Sequence, residues 1–179
     1  MADYKNIIPF IRAAEGGWVN NPSDPGGETN AGVTYAVWCT FFGNDSHDRF
    51  MTMSDDDWGT IFKTGYWDKI MGDSINSQRI GNILVDWTWG SGTYYPGVDV
   101  QDILDKAFGE HLTEDGSVGP ATIAAINEVD EQTLWDDIVA KRFSFLDAIV
   151  ANNSSLSIFL QGWKNRMNNL IKFENDQVS

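Results

Sequence analysis

The sequence predicts a mainly α-helical protein with at most one small β-hairpin. Apolar residues recur at helical spacing along most of the 179 residues, and capping residues or glycines stand at the ends of these runs. Strand-like alternation of apolar and polar residues is confined to the stretch from Asn20 to Thr34. We therefore expect helices to form the core and the hairpin, if present, to lie in that one stretch.

The helix boundaries follow from residues that favour helix starts and ends. Ser, Thr and Asp accept hydrogen bonds from the first free N–H groups, Pro fits the first turn, and Gly terminates a helix. We predict helix starts near Asn6, Thr34, Ser54, Ser77, Val100, Pro120, Asp130 and Ser155, and helix ends at Gly16, Gly43, Ser91–Gly92 and Gly109. Residues 44–50 are predicted as a polar loop and residues 94–97 as a turn.

One acidic residue interrupts an apolar helix. Ile80, Ile83, Leu84 and Trp87 follow helical spacing, and Asp86 stands within this run. An acid in an apolar run needs a partner or a wet cleft. Asp86 therefore either ties its helix to a backbone group or lines the sugar groove, and we favour the structural role.

The stretch from Glu15 to Thr34 is the least typical of a helical protein. Helical spacing of the preceding apolar residues places Glu15 in the last turn of the first helix, and Gly16–Gly17 are expected to end that helix in the left-handed conformation. The negative helix end and the neighbouring Trp18 both disfavour a charged carboxylate. We therefore expect Glu15 to hold a proton near neutral pH, as a general acid requires.

A second carboxylate follows nine residues later. The sequence Asp24-Pro25-Gly26-Gly27 is typical of a type II turn, which would hold Asp24 in place. Two carboxyl groups facing each other across a cleft are the arrangement used for glycoside hydrolysis. Thr29 and Asn30 follow Asp24 by five and six residues.

Residues 15–34 closely resemble the signature of glycoside hydrolase family 108, E-G-G-[YW]-V-N-x-P followed by D-x-G-G-x-T-N-x-G-[IV]-T. Asn21 stands where many members have Asp. The resemblance continues along the chain in Tyr66–Asp68 with Gly72–Asp73, in Val85–Trp87 with Ser91–Gly92, and in Asp115–Thr122, which is similar to the peptidoglycan-binding region of the family.

This resemblance implies a lysozyme-like helical fold and N-acetylmuramidase activity, the cleavage of the β-1,4 bond between N-acetylmuramic acid and N-acetylglucosamine. Residues 1–93 would form the hydrolase region and residues 94–179 the peptidoglycan-binding region, packed as one body. No metal or other cofactor is implied. The resemblance makes Glu15 the proton donor.

Similarity to phage-type lysozymes assigns further catalytic roles to Asp24 and Thr29, although Thr29 follows Asp24 by four intervening residues rather than five. The residues expected to contact substrate are Trp18, Asn30, Tyr66 and Asp86.

The composition limits the partners. A net charge of -14 argues against nucleic acid and anionic membranes, because both require a basic surface. It also favours a thin Gram-negative wall over one rich in anionic polymers. The expected partner is the glycan strand of bacterial peptidoglycan, bound by a monomer.

We find neither a charged segment followed by an apolar core nor a long apolar run. We therefore expect synthesis in the cytoplasm without a signal peptide. Action at the cell wall, in the periplasm or on a host cell wall, would then follow lysis, a holin pore or a secretion system.

Three other functions are alternatives to the glycosidase hypothesis. Cys39 could serve as a peptidase nucleophile with His47 or His111, but it lies in an apolar helix, where thiols are usually inert. A zinc amidase needs three ligands, and two His with one Cys supply them poorly. A non-catalytic peptidoglycan-binding module would retain the fold without needing Glu15.

Overall fold

The computed structural model describes residues 1–20 and 27–178. Within these ranges the protein is mainly α-helical with one two-stranded antiparallel hairpin, which confirms the predicted fold class. The α-helices are α1 (Ile8–Ala14), α2 (Tyr35–Phe42), α3 (His47–Met51), α4 (Asp55–Phe62), α5 (Gln78–Ser91), α6 (Tyr94–Phe108), α7 (Pro120–Glu128), α8 (Glu131–Asn152) and α9 (Ser157–Val178). The strands are β1 (Thr29–Asn30) and β2 (Val33–Thr34). None of these helices is long and apolar enough to span a lipid bilayer.

Helix α5 forms the centre of the core. Every residue from Ile80 to Thr88 is buried, and the helix packs against α6, α8 and the Lys63–Trp67 turn. Helix α9 packs on α8 and also reaches α1. The last helix of the chain therefore returns to the end of the first, where Glu15 lies.

The predicted capping residues cap their helices. The side chains of Thr34, Ser54, Ser77 and Asp130 each accept a hydrogen bond from the backbone N–H three residues further on. Ser54 and Asp57 form a reciprocal capping box. Each such cap contributes about 1 kcal/mol to stability, which explains why these boundaries could be read from the sequence.

The hairpin is short and tightly turned. Thr29 pairs with Thr34, and Asn30 pairs with Val33. The two connecting residues, Ala31 and Gly32, have φ values of 46° and 79°, as a two-residue hairpin loop of type I′ requires. Val19 adds an antiparallel bridge to Thr29.

Two predicted loops are helical. Residues 47–51 form α3 where a polar loop was predicted, because the fully buried side chain of Phe50 anchors this segment in the core. Helix α6 begins at Tyr94, where a turn was predicted. Pro96 is compatible with this start because the first N–H groups of a helix have no intrahelical acceptor.

The Asp115–Gly119 loop is fastened to α6 by one buried amide. Gln101 donates to Asp115 Oδ1 and to the Ser117 carbonyl, at 3.0 Å each, and accepts from the Gly116 N–H at 2.9 Å. The backbones also touch closely, since a Cβ atom on Gly97 would lie 2.1 Å from the Gly116 carbonyl oxygen. The residues that resemble a peptidoglycan-binding motif therefore lie in a loop that is held closely against α6.

We expect Gly97→Ala to lower the free energy of unfolding by about 1–3 kcal/mol, because the new methyl group forces α6 and the loop apart. The matched control is Gly59→Ala in α4, where an added Cβ meets nothing within 4 Å. That variant should be unchanged or stabilised by about 0.5–1 kcal/mol through its higher helix propensity. Urea unfolding measures both, and equal stability of the two variants would contradict the close approach.

Candidate active site

Glu15 is the first residue beyond α1. Its backbone is extended, with φ of -94° and ψ of 136°, and its N–H bonds to the Arg12 carbonyl. The helix therefore ends through the conformation of Glu15 itself. The expectation that Gly16–Gly17 end it in the left-handed conformation is wrong, because neither glycine has a positive φ.

The Glu15 carboxylate is held mainly by one of its two oxygens. Trp89 Nε1 donates to Oε1 at 3.0 Å, and Arg166 Nη1 approaches the same atom at 3.5 Å. The side chain is 18% exposed. Oε2 faces the hairpin turn at Gly32 and receives no hydrogen bond from the described residues. One oxygen is thus held by two donors, whereas the other receives no hydrogen bond from the described residues.

Gly32 allows this arrangement. A Cβ atom at this position would lie 2.4 Å from Glu15 Oε2 and 2.8 Å from the Trp89 ring. Any larger residue would therefore displace the carboxylate or the indole. The hairpin turn is itself held in place, because Trp58 Nε1 donates to the Ala31 carbonyl at 3.0 Å.

An aromatic cluster supports Trp89. Its ring centroid lies 4.6 Å from that of Tyr66, 5.5 Å from Trp58 and 5.6 Å from Phe62. Tyr66 is placed by the Lys63–Trp67 π-helical turn, which continues α4. Burial raises the pKa of the Tyr66 hydroxyl. The predicted contact of Tyr66 with substrate stays a prediction.

Behind Glu15 lies a buried charge network. Arg166 donates to Asp86 Oδ1 through Nε at 3.1 Å and Nη2 at 2.8 Å, and Arg142 Nη2 donates to Asp86 Oδ2 at 2.5 Å. The Asp86 side chain is fully buried. Burial acts to raise its pKa, but Arg142 and then Arg166 outweigh this effect and hold the pKa below its ordinary value. Asp86 is thus tied to arginine side chains of two other helices, and its predicted contact with substrate stays a prediction.

A second polar cluster lies beside the hairpin. Trp18, 44% exposed, donates through Nε1 to Glu28 Oε1 at 2.5 Å, and His47 Nε2 lies 2.8 Å from Glu28 Oε2. The hydrogen bond with His47, followed by that from Trp18, lowers the pKa of Glu28. Thr29 is fixed next to this cluster by two backbone hydrogen bonds with Val19, of 2.8 and 2.9 Å. Roles for Trp18 and Thr29 in substrate binding and catalysis stay predictions.

Asn30 has a clear structural partner. Its side-chain amide donates to the carbonyls of Phe50 and Met51, at 2.7 and 3.3 Å, and the residue is buried. These bonds attach the hairpin to α3. The predicted contact of Asn30 with substrate stays a prediction, and Asp24 lies outside the described residues.

Two concave surfaces meet at Arg166. A groove of about 700 Å³ runs between α1 and α9 and includes Phe10, Ala14, Trp163 and Arg166. A cavity of about 160 Å³ is lined by Trp163, Arg166, Asp86 and other side chains of α5 and α8. Glu15 does not line either space, but it contacts Arg166, which lines both.

The described residues contain no group of three or more His, Cys, Asp or Glu side chains placed to hold a metal ion. Cys39 is a half-buried free thiol on α2. The ring of His47 is engaged by Glu28, whereas His111 has a 93% exposed side chain near Asp105.

Several of these residues were not identified from the sequence. Arg142 interrupts the apolar run of α8, as Asp86 interrupts that of α5. Opposite charges in two apolar helices could therefore have predicted that these two residues pair. Trp89 lies three residues beyond Asp86, on the same helix face. No local pattern identifies Arg166, which lies 151 residues from Glu15.

Two protein-family models match the chain. Residues 8–92 match the family described as Glycosyl hydrolase 108, and residues 95–168 match the one described as Predicted Peptidoglycan domain. Among solved structures, the fold is similar to that of Brucella abortus SagA, with 24% sequence identity and a TM-score of 0.76 over 93% of this chain and 90% of that chain. A search of curated proteins found no match.

We expect Gly32→Ala to lower the free energy of unfolding by about 2–5 kcal/mol. About 1–2 kcal/mol comes from placing a Cβ at positive φ, and about 1–3 kcal/mol comes from the collision with Glu15 and Trp89. Gly109→Ala is the control, because Gly109 has a φ of 76° but open space around it. Chemical denaturation of both variants separates the two effects. Equal losses would show that the hairpin turn does not press on Glu15.

Proposed function

Because this chain belongs to glycosyl hydrolase family 108, we propose that it is an N-acetylmuramidase, a lysozyme that cleaves the β-1,4 bond between N-acetylmuramic acid and N-acetylglucosamine. The family and the adjoining peptidoglycan domain make it a peptidoglycan hydrolase. The proposal adds the bond that is cleaved, the acid that cleaves it and the contacts that hold the glycan. Residues 1–93 form the proposed hydrolase region and residues 94–179 the peptidoglycan-binding region.

The observation that carries this proposal is the setting of Glu15. A general acid must be fixed in direction, shielded from bulk water and able to present its proton to the leaving oxygen. Trp89 fixes Oε1 from one side, the Gly32 turn covers the carboxyl group from another, and the side chain is 18% exposed. In the proposed reaction, Glu15 donates its carboxyl proton to the leaving oxygen as the glycosidic bond breaks.

Glycosidases of this kind use a second group on the other face of the sugar. We assign this role to Asp24, which in its ionised form stabilises the positively charged transition state or orients water. Thr29 helps to place that water. The position of Thr29 on β1, next to the Trp18–Glu28 pair, is compatible with this role.

The proposed substrate contacts combine aromatic and polar groups. Trp18 offers an exposed indole, held by Glu28, on which a sugar ring can stack. Tyr66 extends the aromatic cluster around Trp89, and the groove between α1 and α9 is lined by Arg166, which contacts Glu15. Asn30 and Asp86 support the site through the hairpin and through Arg166. The natural ligand is the glycan strand, reached after lysis, through a holin pore or by secretion.

We expect Glu15→Gln to reduce the release of reducing ends from purified peptidoglycan by at least about 100-fold, since it removes the acid while keeping the shape of the side chain. Binding to insoluble peptidoglycan in a sedimentation assay should persist. Glu128→Gln, the same exchange at an exposed residue of α7, is the control and should remain fully active. Full activity of Glu15→Gln would refute the proposed acid, and a wild-type protein that binds without cleaving would identify a binding module.

The cysteine peptidase alternative makes an opposite prediction. Cys39 lies half-buried on α2, and His47 donates to or accepts from Glu28. We expect Cys39→Ser to retain wild-type wall hydrolysis within about twofold, because Glu28 already engages His47, a base that this thiol would need. Turbidity of a peptidoglycan suspension measures this rate. Loss of activity in a folded Cys39→Ser variant would favour the peptidase.

A further inference from the structure

We propose that Arg166 is a positioning residue for Glu15, so that the last helix of the chain completes the active site. This inference rests on the proposed function, because it assigns Glu15 the part of the acid. Arg166 acts through Glu15 and needs no contact with the sugar. The residue lies within the region that matches the peptidoglycan domain, whereas Glu15 lies within the hydrolase match.

The geometry of the guanidinium group supports this assignment. Nε and Nη2 both bind Oδ1 of Asp86, at 3.1 and 2.8 Å, which fixes the plane and the direction of the group. The remaining nitrogen, Nη1, is thereby directed to Glu15 Oε1 at 3.5 Å. The rigid fork of an arginine can hold two carboxylates at once, which the single ammonium group of a lysine does poorly.

The cost of the network also indicates a role beyond stability. Asp86 is fully buried, and Arg142 is 8% exposed with an Nη1 atom that has no hydrogen-bond partner among the described residues. Buried ion pairs of this kind are expensive to desolvate and often contribute little net stability. With two guanidinium groups on one carboxylate, a positive charge is left over, and it faces Glu15.

This charge suits an acid that must release its proton. When Glu15 protonates the leaving oxygen it becomes an anion, and a fixed cation beside it stabilises that state. Among the described residues, the charged groups on this side are Arg166 from α9 and, behind it, Asp86 from α5 and Arg142 from α8. Burial acts to lower the pKa of Arg166, but Asp86 and then Glu15 raise it above its ordinary value, so the cation persists at working pH.

The test compares Arg166→Met, which removes the charge, with Arg166→Lys, which keeps it. We expect Arg166→Met to lower kcat about tenfold with little change in KM, because the acid is misplaced but the sugar contacts remain. The basic limb of the pH–rate profile should also shift, because a charge next to the proposed acid has been removed. Arg166→Lys should lie between wild type and Arg166→Met in both respects.

Lys164→Met is the matched control, because Lys164 is a cation on the same helix paired with Asp147 on α8. It should leave kcat and the pH–rate profile unchanged. If Arg166→Met does not fold in a thermal scan, Arg166→Lys decides, and wild-type kcat and profile in that variant contradict the proposal. If Glu15→Gln is active, the proposed function itself fails. If Glu15→Gln is inactive while a folded Arg166→Met keeps the wild-type kcat and basic limb, only the positioning role is wrong.

Discussion

One buried carboxylate, that of Asp86, joins three helices that are far apart in the sequence. It lies on α5 and binds Arg142 from α8 and Arg166 from α9. Removing either arginine would leave one oxygen of this buried carboxylate without its hydrogen-bond donors, which costs about 1–3 kcal/mol. The bonds to Asp86 therefore restrict the position of α9. Because Arg166 lies on α9, they also place its guanidinium group at the end of α1. The two halves of the chain are thus connected electrostatically at the candidate active site.

The second constraint on Glu15 is steric. The hairpin turn at Gly32, the indole of Trp89 and the carboxylate meet so closely that only a glycine fits. Trp58 secures the turn from one side, and Tyr66 and Phe62 secure Trp89 from the other. Placement by packing on rigid neighbours suits an acid that must meet a glycosidic oxygen within a few tenths of an ångström. The same aromatic residues therefore form part of the core and hold the proposed acid in place.

The sequence predicted those features that depend on neighbouring residues. Thr34, Ser54, Ser77 and Asp130 cap helices because a cap depends on the next three residues alone. The hairpin likewise follows from a short run of residues. Predictions from neighbouring residues were wrong where tertiary packing determines the structure. Residues 47–51 were predicted as a loop but form α3, because Phe50 is buried in the core.

The candidate site shows the same division. The position of Glu15 at the end of a helix follows from local periodicity, although the conformation of Gly16–Gly17 does not. The approach of Arg166 to Glu15 spans 151 residues and results from the packing of α9 on α1 and α8. The Asp86–Arg142 pair could be predicted only in part. Each residue is a charge within an apolar helix and therefore needs a partner, but the sequence does not say which partner it has.

Mass spectrometry of the fragments that the wild-type protein releases from purified peptidoglycan tests the central claim most directly. We expect disaccharide-peptides whose reducing end is N-acetylmuramic acid, because cleavage at the β-1,4 bond to N-acetylglucosamine leaves that sugar with a free anomeric carbon. Fragments ending in reducing N-acetylglucosamine, peptides released without sugar, or glycan chains left uncut would contradict muramidase activity.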